Sequence, residues 1–198
     1  MTLLLATTNT DKLREMRAAL AGAPVHLMSL ADLPPISAPE ETGATFWENA
    51  RRKALAYAVA SGLATVAEDS GLAIEPLNGE PGVRSARYLG PDATYAERFA
   101  DIYQRLSTLP RKPHRARFVT ALALARGDTI LFETETRIEG VVAPKPAGDQ
   151  GFGYDPIFLY VPSGTTTAEM SAGDKAAVSH RARACRDLRR ALLTRALG

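Results

Sequence analysis

Apolar positions change their spacing several times along the chain, and each change predicts a different element. Leu3 to Ala6 is continuously apolar and reads as a short buried strand. TTNTD then supplies turn and cap residues, after which Leu13, Met16 and Leu20 recur at helical spacing. Val25 to Ser29 predicts a second strand, followed by a proline-rich loop through Ser37. Thr45 with Glu48 forms a capping-box signature at the head of Phe46, Ala50, Ala54, Tyr57 and Ala58, so a helix is expected over roughly Phe46 to Ala60. Ala64 to Ala67 and Leu72 to Ile74 read as two strands around EDSG, and NGEPGVRSARYLGPDAT as loop until Phe99, Ile102, Tyr103 and Leu106 mark a third helix. The period then shifts to two. Alternation through Arg117 to Ala125 and Leu131 to Val142, about a turn at Gly127 and Asp128, predicts a long antiparallel hairpin with one charged face. Ser171 with Asp174 forms another capping box, and the stretch from Ala172 nearly to Leu197 has no proline and one early glycine, so the chain is expected to close in helix. No internal repeat, linker or low-complexity segment interrupts this order.

Composition adds bounds. With 198 residues, 45% hydrophobic and 23% charged, the chain can bury a full core as one domain, 1–198. Its 24 basic and 22 acidic residues leave a net charge of +2, which argues against a nucleic-acid stripe or a membrane-binding surface. An anionic partner must therefore be gripped locally. Cys185 stands alone, so no internal disulfide and no thiolate cluster for zinc can form. The apolar run at Leu3 to Ala6 is too short for a signal segment and no run approaches a membrane span, so a cytoplasmic protein is expected.

Four stretches carry candidate chemistry. TTNTDK leaves a strand and opens a helix, where free backbone N–H groups can hold phosphate with Lys12 as a point charge; Thr8 or Asn9 capping the helix explains the same residues, and no Walker loop occurs. Among Glu40, Glu41, Glu48, Glu68 and Asp69, the pair Glu68 and Asp69 interrupts an apolar segment, where an unpaired carboxylate is costly unless it meets a cation. Oxygen-only ligands suit magnesium shared with substrate phosphates. The plainer alternative has Glu68 in solvent, Asp69 capping a turn and Glu48 serving its capping box. GDQGFGYDP combines glycines that allow close backbone approach, Phe152 or Tyr154 to stack on a flat ring, and Asp155 to accept hydrogen bonds from it; a turn or bulge with core aromatics uses the same residues. In DKAAVSHRAR, Lys175, His180 and Arg181 fall in the closing helix, with His180 and Arg181 about 100° apart around its axis. A solvated basic face is the alternative there.

Taken in order, ATTNTDK, EETGATFWENARRKA, AEDSGL, PGVRSARY, GFGYDPIF and AEMSAGDKAAVSHR resemble the non-canonical purine nucleoside triphosphate pyrophosphatases, the inosine triphosphate pyrophosphatase family, over nearly the whole chain. FGYDP and SHR are the most specific pieces. The resemblance implies a mixed α/β fold with a long central sheet and helices, two lobes flanking a substrate cleft, and homodimers. It implies magnesium-dependent hydrolysis of ITP, dITP and XTP to the monophosphate and pyrophosphate. Carried onto this sequence, it puts Thr7, Thr8, Asn9, Thr10, Asp11 and Lys12 on the triphosphate, and Glu40 and Asp69 near magnesium, with Asp69 also the base. Lys53 and Ser70 would help hold substrate; Phe152, Gly153, Tyr154 and Asp155 match the base and sugar-phosphate pocket, completed by Lys175, His180 and Arg181. Arg181, a donor-only side chain, is then expected to pair with the 6-oxygen of hypoxanthine or xanthine and to mismatch the adenine amino group. Thr8 stands where the family pattern has glycine, and Glu68 where aspartate is frequent. Two rival readings are a house-cleaning pyrophosphatase for modified pyrimidine nucleotides, which would not need FGYDP with SHR, and a nucleotide sensor that binds without turnover.

Overall fold

The computed structural model describes residues 1–109 and 113–194. Seven strands form one sheet, β1 (Thr2–Leu5), β2 (His26–Ser29), β3 (Ala64–Ile74), β4 (Arg115–Arg126), β5 (Thr129–Val142), β6 (Phe158–Tyr160) and β7 (Thr165–Thr166), in the order β2-β1-β3-β4-β5-β6-β7. The helices are α1 (Thr10–Ala19), α2 (Phe46–Ser61), α3 (Tyr95–Ser107), α4 (Ala172–Val178) and α5 (His180–Leu193). This is the expected mixed α/β class with a long central sheet. The chain forms two compact units: Met1–Asp69, Thr120–Thr136 and the chain from His180 make the first, Ser70–Val119 and Arg137–Ser179 the second. Single strands pass between them, β3 after Asp69, β4 after Val119 and β5 after Thr136.

In the first unit β1 pairs in parallel with β2 and β3, as connections through α1 and α2 require. Buried strand residues of β4 divide by parity. Leu122 and Leu124 join Leu3, Leu5, Met16, Leu20 and Leu188 in one core, while Ala121, Ala123 and Ala125 share another with Ala50, Ala54, Tyr57 and Ala58 of α2. Small residues on both sides of that second layer let the α2 backbone come close to the sheet. The second unit has its own core, built from Leu72, Ile74, Ile102, Leu106, Phe118, Ile138, Tyr154 and Phe158. Its β5, β6 and β7 pair antiparallel.

Three expectations need correction. EDSG does not separate two strands: β3 is continuous from Ala64 to Ile74, so Asp69 caps no turn. The glycine that reads as punctuation serves close approach, since a Cβ at Gly71 would collide with Ser85 Oγ and the Gly82 carbonyl. The closing helix is broken at Ser179, whose φ of −56° and ψ of 140° end α4 and make the extended entry from which α5 starts. Its extension beyond Thr194 lies outside the described residues. At the head of α2 the Thr45 hydroxyl accepts from the Glu48 N–H as expected, but the Glu48 carboxylate takes the Ala44 N–H, one residue before the cap.

Candidate active site

The site in the first unit begins where β1 ends. Asn9 caps α1, its Oδ1 accepting the Asp11 and Lys12 N–H groups at 3.0 Å each, and the Asn9 N–H donates to Thr7 Oγ1 at 3.2 Å. The capping role anticipated for Asn9 is therefore filled, with Thr8, Asn9 and Thr10 exposed around it. One helical turn holds Lys12 at the base of this loop, with its Nζ 2.6 Å from Glu68 Oε1.

Glu68 and Asp69 are neighbours on β3, so their side chains leave on opposite faces. Both are buried, and they reach opposite electrostatic outcomes. Burial alone would push the Glu68 carboxyl up, but Arg181 (Nε at 3.3 Å from Oε2) and Lys12 more than offset it and hold the group far below the usual carboxylate range. Arg181 is itself buried, and its Nη1 donates to Glu15 Oε2 at 2.6 Å; against the desolvation that would lower it, Glu68 and Glu15 raise its affinity for the proton. Asp69 goes the other way. Burial raises its pKa, Glu41 adds to the rise, and neither Lys53 (Nζ 3.1 Å from Oδ1) nor the Asn49 amide (3.1 Å from Oδ2) reverses it. Lys53 also reaches Glu41 at 2.5 Å. Asn49 and Lys53 are one turn apart on α2 and share a face. Asn49 in turn accepts the Gly43 N–H at 2.8 Å, which fixes its amide orientation.

In the second unit, the stretch 148–156 folds around one carboxylate. Gly148, Gly151 and Gly153 all have positive φ, and a Cβ at Gly151 would collide with Asp155 Oδ2. Asp155 is buried; its Oδ2 accepts from the Phe152 N–H at 2.8 Å and Lys175 Nζ at 2.6 Å, and its Oδ1 from Thr167 Oγ1 at 2.7 Å. Lys175 Nζ also stands 5.0 Å from the centre of the half-buried Phe152 ring. Tyr154 is a core residue: its ring meets Tyr95 edge-on at 5.3 Å and its hydroxyl donates to the Ser85 carbonyl at 2.9 Å.

A model of the Ham1 family matches residues 3–191. The chain belongs to the Ham1 family. It is 45% identical over 188 residues to the dITP/XTP pyrophosphatase of Syntrophobacter fumaroxidans, covering 95% of this chain and 80% of that protein. Identity is also 45% to the dITP/XTP pyrophosphatase of Thermus thermophilus, over 95% and 90% of the two chains. Among solved structures, a HAM1 protein from Coxiella burnetii superposes with a TM-score of 0.89 at 37% identity, covering 98% of this chain and 99% of that one. A nucleoside-triphosphatase / dITP/XTP pyrophosphatase from Mycobacterium abscessus gives 0.76 at 42% identity, over 95% and 98%.

In this Ham1-family chain, then, the first unit brings together Lys12, Lys53, Glu41, Glu68, Asp69 and Arg181, and the second brings together Phe152, Gly153, Tyr154, Asp155 and Lys175. Ser70 follows Asp69 on β3 and is half-buried, His180 is buried at the start of α5 with its carbonyl accepting from Thr136 Oγ1 at 2.6 Å, and Glu40 is exposed. Sequence reasoning passed over Asn49, Glu15 and Thr167. Asn49 was detectable as the residue one turn before Lys53; nothing in the pattern marked Glu15 or Thr167. Among the described residues no three His, Cys, Asp or Glu side chains gather as a metal site, and no helix is long and apolar enough to cross a membrane.

Proposed function

We propose that this chain hydrolyses deaminated purine nucleoside triphosphates, ITP, dITP and XTP, to the monophosphate and pyrophosphate, and so clears them from the nucleotide pool. The observation that carries the reading is the arrangement on β3: the buried Glu68 carboxylate holds Lys12 at 2.6 Å and Arg181 at 3.3 Å, and the next residue, the buried Asp69, holds Lys53 at 3.1 Å. Relatives at 45% identity bearing the dITP/XTP pyrophosphatase name support it.

Asp69 accepts the proton of a water attacking the α-phosphorus, a task for a buried carboxylate held between Lys53 and Asn49. Asn49 keeps its carboxylate oriented. Lys12, at the end of the Thr7 to Lys12 loop, and Lys53 meet the phosphate charge that grows on the leaving pyrophosphate. No covalent nucleophile is called for: burial pushes the Cys185 thiol up to about 12, which keeps it inert. Magnesium is the proposed cofactor, held by Asp69 and Glu40. The donor set fits it, because the Asp69 carboxylate is a hard oxygen donor already attracting an ammonium, and the Glu40 side chain has no partner among the described residues. When bound, the ion would neutralise phosphate charge. At the base end Phe152 offers its ring, which Asp155 and Lys175 hold in place; Ser70 and His180 are proposed as further substrate contacts. Arg181, fixed by two carboxylates, is a rigid donor for the 6-oxygen. A homodimer in a cytoplasmic setting completes the reading, and sedimentation of the purified chain tests the dimer.

The deciding experiment is release of pyrophosphate from a panel of nucleoside triphosphates with magnesium and with chelator. Pyrophosphate from ITP and XTP, dependent on magnesium, is the expected result; orthophosphate as the direct product would place attack at the γ-phosphorus and overturn the mechanism. In Arg181→Ala the preference for ITP over ATP should narrow while that for ITP over GTP changes less, since guanine keeps the 6-oxygen.

A further inference from the structure

The segment PGVRSAR has no part in the chemistry above, yet it forms the 3-10 turn Gly82–Arg87 at the centre of a hydrogen-bonded brace within the second unit. Ser85 is buried and works in two directions. Its Oγ donates to the Gly82 carbonyl at 2.7 Å and accepts the Leu72 N–H at 3.0 Å, three residues beyond Asp69 on β3. Its carbonyl accepts the Tyr154 hydroxyl of the 148–156 turn at 2.9 Å and Arg98 Nη1 at 3.3 Å.

Arg98 is 3% exposed, and no carboxylate pairs with it among the described residues. Its charge is met by the Ser85 carbonyl, by the Gly90 carbonyl at 3.2 Å from Nη2, and by the Tyr95 ring with its centre 4.9 Å away, while Nε has no partner. A buried guanidinium held by carbonyls, a ring and the neighbouring Tyr154 hydroxyl, with no carboxylate, is a costly arrangement, and one that persists where its geometry is used. Here it grips two points of one loop. Between them lies Leu89, a non-glycine residue at φ +62°, and on the far side of the Ser85 carbonyl lies Tyr154, two residues after Phe152.

We propose that Arg98 is a positioning residue for nucleotide binding: through the Ser85 carbonyl it fixes the Tyr154 hydroxyl, and through Tyr154 it sets the turn that presents Phe152. This rests on the base-end assignment given under the proposed function. Arg98 touches no substrate, so its loss acts on capture rather than on the chemical step.

Arg98→Met, Arg98→Lys and Tyr154→Phe test it in the full-length protein. Loss of one such hydrogen-bonded link corresponds to about a tenfold rise in KM for ITP, with kcat within about threefold in Arg98→Met and Tyr154→Phe. Arg98→Lys recovers part of the loss, and the double variant Arg98→Met/Tyr154→Phe is no worse than the worse single one, because both act through one carbonyl. Hydrogen exchange at the Phe152 amide, which is bonded to Asp155, is expected to accelerate in Arg98→Met. That readout needs no turnover, so it separates the brace from the activity: a wild-type protein that leaves every nucleoside triphosphate intact refutes the proposed function, whereas unchanged Phe152 exchange in a folded Arg98→Met refutes the brace. A folded Arg98→Met with lowered thermal stability but normal KM would make Arg98 a structural staple and overturn the proposal.

Discussion

The two units hold their charged groups by opposite means. In the first, Lys12, Lys53 and Arg181 interleave with Glu15, Glu41, Glu68 and Asp69, so that almost every charge has an opposite charge as its neighbour. In the second, among the described residues, the buried pair Lys175 and Asp155 is embedded among a hydroxyl, a backbone N–H and an aromatic ring, and the buried cation Arg98 rests on carbonyls. Charge balance therefore governs the first unit, and shape fixed by short-range hydrogen bonds governs the second. Under the proposed function, a phosphate chain makes the first demand and the ring that stacks on Phe152 the second. The first needs a field arranged in advance, which partly desolvated ion networks supply; the second needs a surface that does not rearrange.

Glu68→Gln breaks this contrast most severely. It keeps the shape and removes the one negative charge that both Lys12 and Arg181 contact, and breaking a buried pair in that way costs about 3–5 kcal/mol. Urea unfolding in the presence of chelator measures it. The sign with pH follows from the lowered pKa. The contribution of Glu68 is present above the ordinary carboxyl value of 4.5 and is lost as pH falls through the folded value, so wild-type stability declines in acid. The Gln variant should lack that share of the decline, and an acid profile parallel to wild type would show that Glu68 is not the anion its partners require.

Asp69→Asn sharpens the comparison within a single strand. Its carboxylate is the one that burial disfavours as an anion, so an isosteric amide should leave the urea midpoint close to wild type. The rate should not survive: loss of a proton acceptor lowers kcat by about 100-fold or more. Adjacent residues would then divide the labour, Glu68 giving stability and Asp69 turnover. Near-normal turnover in folded Asp69→Asn would remove it from the chemistry.

How legible this was in the sequence differs between the units for a physical reason. Periodicity reports which face is buried, so β1, α1, α2, α3 and the β4 and β5 hairpin follow from the pattern to within a few residues. It does not report what a glycine or a serine is for. Gly71 looks like a turn because turns and close backbone contacts both exclude a Cβ, and only the position of Ser85 tells them apart. Ser179 looks helical because nothing local forbids it; its extended conformation places the start of α5 and the burial of His180 and Arg181. The carboxylates of β3 were visible as charges in an apolar run, but their partners come from α1, α2 and α5, and contacts so distant in sequence leave no mark on local spacing. The motif FGYDP offers Phe152 or Tyr154 as a stacking ring and a core aromatic as the alternative; the structure makes Tyr154 the core residue and leaves the Phe152 ring half-exposed.

The smallest expected effect tests whether the second unit works by shape. Thr167 was not suspected from the sequence, yet its hydroxyl is the partner of Asp155 Oδ1, while Oδ2 is shared by the Phe152 N–H and Lys175. Thr167→Val preserves the branched outline and deletes the hydrogen bond to Asp155 Oδ1, at about 1 kcal/mol, together with the longer 3.3 Å one to the Asp155 carbonyl. Asp155 keeps its two other donors, so the turn should loosen without opening, and KM for ITP should rise about fivefold with kcat within about twofold. Because no charge is removed, the dependence of KM on salt should match the wild-type curve, whereas a charge removed from the ion network of the first unit would alter it. A fall in kcat at constant KM would instead tie this turn to the chemical step, and the division between a unit of charge and a unit of shape would have to be given up.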